Sequence, residues 1–554
     1  MGMMLNASHR LINRGFNANQ GGNSLIIEPD NSAYFERIPA SAGDRRTGMV
    51  RYVGQLCEPD VVAPIVVASA LGSTTNFFYF GKNGSNKLVV QAYVSSSLAV
   101  HLVTDAEYLD PIGEYDAAVL IDTTDVTNSE RVKLIVGGVR VTDFSTETYP
   151  AQNTELHLNA DVPHRIGRST VTVTEYGSLK PSFVEIVSGR APGEDELGSF
   201  DNRGVWMPKP VGGDYGSTGS LVDFAETGTD AELGYDHRPL VGGQSANNWS
   251  VNNITTDDVV EASWSNNFAA SNLLDTDRTS ITTSYGNLKL VKATASNSPS
   301  ALATIGVTTG KYYAELTWVS ITDSAPNANY IVTGVATRDA LNAVNYFAGN
   351  SSAASENGDK RIITAGSSSG FLPYGDGYWV AGSKIGIALD LDAGEVTFYK
   401  NGVSQGSITL PATSDPWYFY NTSDGTNNGY TAMWNFGQKP FTYAPPAGFK
   451  PLNTANLPRP AKASEVTPLT GSFTGTASAN PNFVYLGYTP DQDGTCTING
   501  NAITWGTHAI ATAWGFYTIT SSASYNASGS NTYSIAVKYP GGGKGIAPAP
   551  AQIN

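Results

Sequence analysis

The sequence is poor in most of what reactive chemistry uses. It has only two cysteines, Cys57 and Cys496, in what read as different domains, so neither a disulfide framework nor a zinc site of clustered thiols can be built. Its six histidines spread from His9 to His508 without a metal-binding spacing. Charged residues make up 15% of the chain, and 33 basic residues against 49 acidic ones leave a formal net charge of -16. That balance argues against a groove tracking nucleic-acid phosphates and against an anionic membrane surface. No apolar run approaches a membrane span, and the opening MGMMLNASHRLINRGFNANQ lacks the apolar core of a secretory signal. Met1-Gly2 is followed by Asn6 where N-myristoylation wants Ser or Thr.

What the chain has instead is turn and strand material. Across 554 residues there are 58 glycines and 28 tyrosines amid abundant Ser, Thr and Asn, which describes short strands joined by many turns. The length allows three or four domains. Residues 1–30 read as an irregular, Asn- and Gly-rich lead-in suited to attachment. Residues 31–200 carry recurrent strand segments such as APIVVASAL, NFFYFG, KLVVQAYV and RVKLIVGGVRVTDF, the pattern of a β-sandwich. Within it Gly137-Gly138 forms the two-residue loop of a tight hairpin. Residues 201–262 read as a Gly- and Asn-rich connector anchored by Trp206 and Trp249. Strands resume over 263–457, where Ile385, Ile387 and Leu389 share a face, Asp392 to Gly394 turn the chain, and Asn401-Gly402 closes the next hairpin. The corresponding places of LIVGGVRV and FYKNGVSQ suggest two copies of one sandwich plan. A Pro-rich linker at 458–470, a small β domain at 471–540 and a Gly- and Pro-rich tail at 541–554 complete the chain.

The block from GVTTGKYYAELTW through KIGIALDLDAGEVTFYKNGVSQGSITL to NFGQKPFTYAPPAGFKPLNTANLP closely resembles the SPRY-like domain of tailed-bacteriophage tail and fibre proteins. The match recurs at separated places: Lys400-Asn401-Gly402, Asn435-Phe436-Gly437-Gln438 and the closing Ala-Gly-Phe-Lys. The block DTTDVTNSERVKLIVGGVRVTDFSTETYPAQNT, with GRAPGEDELGSFDNRGVWMPK, resembles the laminin-G-like, concanavalin-type sandwich preceding that domain in the same phage proteins. Where that family often has Trp-rich strands, this chain has GMVRYVGQL at 48–56 and EYDAAVL at 114–120. The resemblance implies a virion component, made in the host cytoplasm and assembled onto a particle. Both domain types are recognition scaffolds, one often for glycans and one for protein partners.

Catalysis should leave paired carboxylates, and the best candidates are incomplete. In Asp390-Leu391-Asp392-Ala393-Gly394-Glu395 the turn separates Glu395 from the first strand, and in Glu114-Tyr115-Asp116 Ala118 stands where a third carboxylate is needed. His164 reads as a surface or hydrogen-bonded residue rather than a base. Asp491-Gln492-Asp493-Gly494 begins like a calcium loop but lacks its later ligands, and Asp122 near a turn leaves rim calcium open. Aromatic residues are the richer set. Tyr485, Tyr488, Trp505, Trp514 and Tyr517 crowd the last domain, and Tyr374, Tyr378 and Trp379 lie in the turn-rich FLPYGDGYWV. Such rings stack on sugars while neighbouring amides and hydroxyls read the polar edge; the same rings would equally serve as core.

The expectation is therefore an all-β chain of two concanavalin-like β-sandwiches in series with a small C-terminal β domain. As a function it points to a non-enzymatic tail fibre or similar virion appendage subunit, without cofactor or metal, that attaches to a host surface glycan or protein. Its partners would be other virion proteins and copies of itself, most simply a trimer, with no nucleic acid and no membrane insertion. A capsid-decoration or baseplate protein without receptor contact, and a glycan depolymerase, are the alternatives.

Overall fold

The computed structural model describes residues 22–458 apart from 172–173, 202–204, 262–265, 273–280, 294–299, 324–329, 338–345, 352–358, 365–366, 374–379 and 425–427. Beyond 458 it describes the strands at 472–476, 483–486, 495–498, 501–502, 515–518, 530–536 and 552–553. The chain is all-β: among the described residues the only helical pieces are short 3-10 turns. It divides into two compact units, one ending at Ser199 and resuming over Pro208–Pro458, the other made of Phe200–Met207 and Arg459–Asn554.

The larger unit contains both sandwiches. In the first, a six-stranded sheet runs in the order Val139–Arg140, Val132–Val136, Glu114–Asp122, Thr47–Leu56, Leu179–Ser188, Ser220–Val222. An eight-stranded sheet faces it: Phe144–Thr148, Ser97–Thr104, Leu88–Val94, Phe77–Lys82, Ala63–Ser69, His164–Ile166, Tyr34–Arg37, Ser250–Asn252. Alternation puts Val50, Tyr52, Val119, Val184 and Ile186 of one sheet against Val66, Phe78, Phe80, Val90 and Leu102 of the other.

The second sandwich repeats this order. Val403–Thr409, Glu395–Lys400, Lys384–Asp390, Lys311–Asp323 and Asn428–Asn435 are neighbours in one sheet, as their counterparts are in the first. In both, a hairpin lies at the sheet edge, with Val136 paired to Val139 and Lys400 to Val403. Gly137, Gly138, Asn401 and Gly402 all have positive φ, which is the type I′ turn that two-residue loops need to match strand twist. The pairing of Glu395–Lys400 with Val403–Thr409 slips between Thr397 and Tyr399, and Gly406 next to the slip has φ +94. Ile385, Ile387, Leu389, Val396 and Phe398 face a core with Trp318, Phe419, Trp434 and Phe436.

Two stretches expected to lie outside the sandwiches are built into them. The end of the 1–30 lead-in forms the strand Asn23–Leu25, paired with Val259–Glu261. Leu25 and Ile27 enter the first core, and Ile26 and Val260 the second. Much of 201–262 likewise belongs to the first sandwich: Ser220–Val222 and Ser250–Asn252 extend its two sheets, and Leu233 and Trp249 are buried in its core. Trp249 donates from Nε1 to the Ser220 hydroxyl at 3.1 Å, with Arg37 over its ring at 5.3 Å. Burial of these apolar side chains outweighs the Gly- and Asn-rich local composition that suggested a connector.

The two sandwiches meet at a polar seam. The Gln55 side chain donates to Asn267 Oδ1 and to the Ile112 carbonyl, both at 3.1 Å. The Gly286 amide donates to Glu28 Oε1 at 2.7 Å, and Asn287 Nδ2 donates to the Cys57 carbonyl. Tyr285 and Gly286 and Asn287 all have positive φ, a turn held in place by these contacts.

In the smaller unit, Ser472–Thr476, Ser530–Ala536, Thr495–Ile498 and Asn501–Ala502 form one sheet, and Gly515–Thr518, Phe483–Leu486 and Gln552–Ile553 another. Ile498 pairs with Asn501 and Thr497 with Ala502.

Candidate functional site

A binding surface needs side chains that the fold has not already engaged, and the sandwich faces differ sharply in this. The outer face of the first six-stranded sheet is covered. There Arg51 makes a two-toothed contact with Asp116, both bonds at 2.7 Å, and reaches Glu185 at 3.1 Å and the carbonyls of Leu197 and Lys209. Glu185 in turn accepts from the Val211 amide at 2.8 Å and the Tyr215 hydroxyl at 2.6 Å. Leu197, Lys209, Val211 and Tyr215 are thus tied to the sheet, and Asp116 is an ion-pair partner of Arg51.

The outer face of the second sandwich's edge-hairpin sheet is covered too. Buried Glu315 accepts from the amides of Thr442 and Tyr443 at 2.8 and 2.9 Å. Phe441 meets Tyr313 edge-on at 4.9 Å, and the Tyr443 ring lies where a Cβ on Gly402 would be. Asn435 Nδ2 donates to the carbonyls of Lys439 and Pro440, both at 3.2 Å, and Gly437 has φ +106 against Pro451. The Lys-Asn-Gly and Asn-Phe-Gly-Gln motifs are therefore the seat and the hinge of a strap. Glu315→Ala is expected to release it at a cost of about 1.5–3 kcal/mol, the range for hydrogen bonds to a charged group. Faster amide exchange over 440–446 is the readout, and unchanged exchange would contradict the role.

The carboxylates singled out for catalysis have structural tasks. Asp390 pairs with Lys311 at 2.6 Å and accepts from the Ala393 amide, Asp392 accepts from the Gly310 amide, and Glu395 sits opposite Asp390 on the returning strand. Asp122 accepts from the Thr124 amide and hydroxyl. His164 is fully buried, with Nε2 accepting from the Asn159 amide at 3.0 Å and Nδ1 within 2.8 Å of the Val162 carbonyl. Burial lowers its pKa to about 3, so it is a neutral structural bridge. Among the described residues no three His, Cys, Asp or Glu side chains converge as metal ligands. Cys57 is a buried free thiol.

The outer face of the first eight-stranded sheet is covered only in part. Register aligns Glu36, Arg165, Val67, Tyr79, Gln91, His101 and Thr148 across seven strands, on the side opposite Phe80, Val90 and Leu102. Glu36 and Arg165 pair at 2.7 Å. Beside them Phe77 stacks on Tyr93 at 5.2 Å, and buried Val67, Phe77 and Val171 form a small apolar cluster against which half-buried Tyr79 and Tyr93 pack. Tyr79, Gln91, Tyr93 and His101 are half-buried. A second group adjoins this face, with Arg168 over the rings of Tyr34 at 4.5 Å and Tyr176 at 5.5 Å. Rings presenting flat apolar area beside an amide and an imidazole suit a sugar or a flat polar peptide.

None of these residues stands out in the sequence as a site. Of the expected ones, Tyr374, Tyr378, Trp379, Tyr488, Trp505 and Trp514 lie outside the described residues, as does the stretch Asp491-Gln492-Asp493-Gly494. Tyr485 and Tyr517 lie on paired strands, but the register sets Tyr485 opposite Phe516 and Tyr517 opposite Val484, so they are not a facing pair.

A family model for the SPRY domain matches residues 304–439. Among curated proteins, the E3 ubiquitin-protein ligase RKP of Arabidopsis thaliana is 39% identical over 102 residues, which is 18% of this chain. The chain spans 8% of the length of that relative. Similar solved structures include the SPRY domain of human HERC1, with 17% identity, a TM-score of 0.25 and coverage of 31% of this chain and 100% of the other. A human SPRY domain has 16% identity, a TM-score of 0.22 and coverage of 29% and 97%. The TRIM65 PSpry domain has 13% identity, a TM-score of 0.22 and coverage of 30% and 89%. The second sandwich thus contains a SPRY domain. None of these relatives is a bacteriophage protein.

Proposed function

We propose that this chain, with a SPRY domain in its second sandwich, is a non-enzymatic recognition subunit of a tailed-bacteriophage appendage, holding a host surface through the partly covered outer face of its first eight-stranded sheet. The observation that carries the recognition reading is that face: beside buried Arg165, Val67 and Phe77 it keeps Tyr79, Gln91, Tyr93 and His101 half-buried, a partly accessible row of aromatic and polar side chains. The phage assignment rests on the sequence resemblance over 31–457, and the SPRY domain adds a fold suited to protein partners. Copies in a closed homo-oligomer, a trimer in the simplest case, docked to other virion proteins would multiply a weak single-site affinity.

The test uses the full chain as soluble protein. It is expected to bind host cells and block adsorption of the phage that encodes it, and Tyr93→Ala with His101→Ala should weaken binding by about tenfold or more, the scale of one lost stacking contact and one lost hydrogen bond. Protein that neither binds cells nor blocks adsorption would favour capsid decoration or baseplate architecture. Release of reducing ends from host capsule or lipopolysaccharide would favour a depolymerase.

A further inference from the structure

A cleft of about 390 Å³ lies where the strand Val259–Glu261 meets the Asn-Phe-Gly-Gln motif. Val259, Phe441 and Pro451 give it an apolar lining, and Thr256, Glu261 and Gln438 are among its polar groups. Its walls are held before any ligand arrives. Val259–Glu261 pairs with Asn23–Leu25, and the Glu261 amide donates to the Gln438 carbonyl at 2.8 Å. A ligand would therefore meet groups already in position, which lowers the cost of binding.

Two of these polar groups are left for a ligand. Gln438 is 4% exposed, and its Oε1 accepts from the Phe436 amide at 2.8 Å. That bond fixes which way the side-chain amide points and leaves Nε2, which has no partner among the described residues, as a donor. Glu261 is exposed, and its carboxylate has neither a hydrogen bond nor an ion pair among the described residues. Lys439 also lines the cleft, but its ammonium is engaged elsewhere. It donates to the Asp257 carbonyl and, at 2.8 Å, to the Tyr285 hydroxyl, and lies 4.8 Å over the Tyr285 ring. On the side of Thr256, whose amide donates to Asp230 at 2.8 Å, Asp257 and Asp258 follow in the chain and add negative charge.

A free carboxylate in acidic surroundings, one fixed neutral donor and an apolar lining select a cation with a flat or aliphatic body. A guanidinium meets a carboxylate with two parallel charge-assisted bonds, and its stem covers apolar surface. The peptide group that carries it supplies a carbonyl for the Gln438 donor. We propose that this cleft binds a partner peptide through an arginine side chain, Glu261 holding the guanidinium and Gln438 Nε2 a neighbouring main-chain carbonyl. Thr256, Val259 and Glu261 precede the SPRY match at 304–439, so the SPRY domain alone lacks the acid. The cleft shares no residue with the outer face of the eight-stranded sheet and is independent of what that face holds.

Ligand-observed saturation-transfer NMR on the full chain tests this, with Nα-acetyl-arginine methylamide as the probe. The probe is expected to bind, and its citrulline counterpart, similar in shape but uncharged, to bind about tenfold or more weaker, the scale of a charge-assisted hydrogen bond. Glu261→Gln, a change at an exposed side chain, should lower the arginine affinity by a similar factor and leave the thermal midpoint unchanged. Tyr93→Ala with His101→Ala should leave it as it is, which separates this site from the proposed host-binding face. No binding of the arginine probe, or equal binding of arginine and citrulline to the natural protein, overturns the proposal whether or not the variant folds. So does a folded Glu261→Gln protein that binds arginine undiminished. Binding of methyl α-glucoside that Glu261→Gln abolishes, with none of arginine, would assign the cleft to sugars and overturn the peptide reading.

Discussion

Arg51→Met is expected to lower the unfolding free energy of the larger unit by about 3–5 kcal/mol, the cost of removing one partner from a buried ion network. Arg51 is fully buried, with Asp116 and Glu185 nearly or wholly so. One guanidinium supplies the positive charge for two carboxylates and also satisfies the Leu197 and Lys209 carbonyls. Methionine fills similar volume but strands both acids, whereas lysine cannot reproduce the planar fork that meets Asp116. Urea denaturation at pH 7 reads the effect as a lowered midpoint. Mild acid should return part of the loss, because protonation relieves the stranded carboxylates. A deficit under about 1 kcal/mol at pH 7 would mean that water or a neighbour compensates, contrary to the burial of the site.

Trp318→Ala should cost a similar amount, about 3–5 kcal/mol, by opening a cavity in the SPRY-containing sandwich. Trp318 is wholly buried and meets Tyr430 edge-on at 5.4 Å with an interplanar angle of 88°. It belongs to the strand Lys311–Asp323, which pairs on both sides and forms the centre of its sheet. The loss should appear in denaturant midpoint and in exchange of the Lys384–Asp390 amides, while Trp318→Phe, which leaves less empty volume, should lose clearly less. Equal losses for the two variants would point to the indole itself rather than to cavity volume.

What could be read from the sequence and what could not divide along the distance over which the determining contacts act. Gly137-Gly138 and Asn401-Gly402 announce their hairpins because positive φ at adjacent residues is a local requirement. Ile385, Ile387 and Leu389 announce a core-facing strand because alternation is local as well. Asn23–Leu25 does not: three residues in an Asn-rich setting become a strand only because Val259–Glu261, more than 230 positions away, offers an edge. Arg51 reads as a lone charge in GMVRYVGQL until folding brings Asp116 and Glu185 to it. The partly covered outer face is hidden for the same reason. Tyr79, Gln91 and His101 share a row only through the register of three strands, and a slip of one residue in any strand would turn that strand's contribution into the core. Conspicuous aromatic residues, by contrast, largely serve the interior: Trp249, Trp318, Trp417 and Trp434 are all buried.

Among the described residues Val403–Thr409 has a sheet neighbour on one side only, and most of its residues are exposed. Seven residues of bare β backbone are ordinarily an invitation for a second chain to add a strand and continue the sheet. The slipped pairing at Thr397 and Tyr399 and the positive φ of Gly406 spoil that template by kinking the donors and acceptors out of a straight row. In the first sandwich the equivalent edge, Val139–Arg140, is only two residues long. Each copy of the plan has thus solved by a different route the same hazard, that of sheets joining edge to edge into insoluble fibres when many molecules are crowded together.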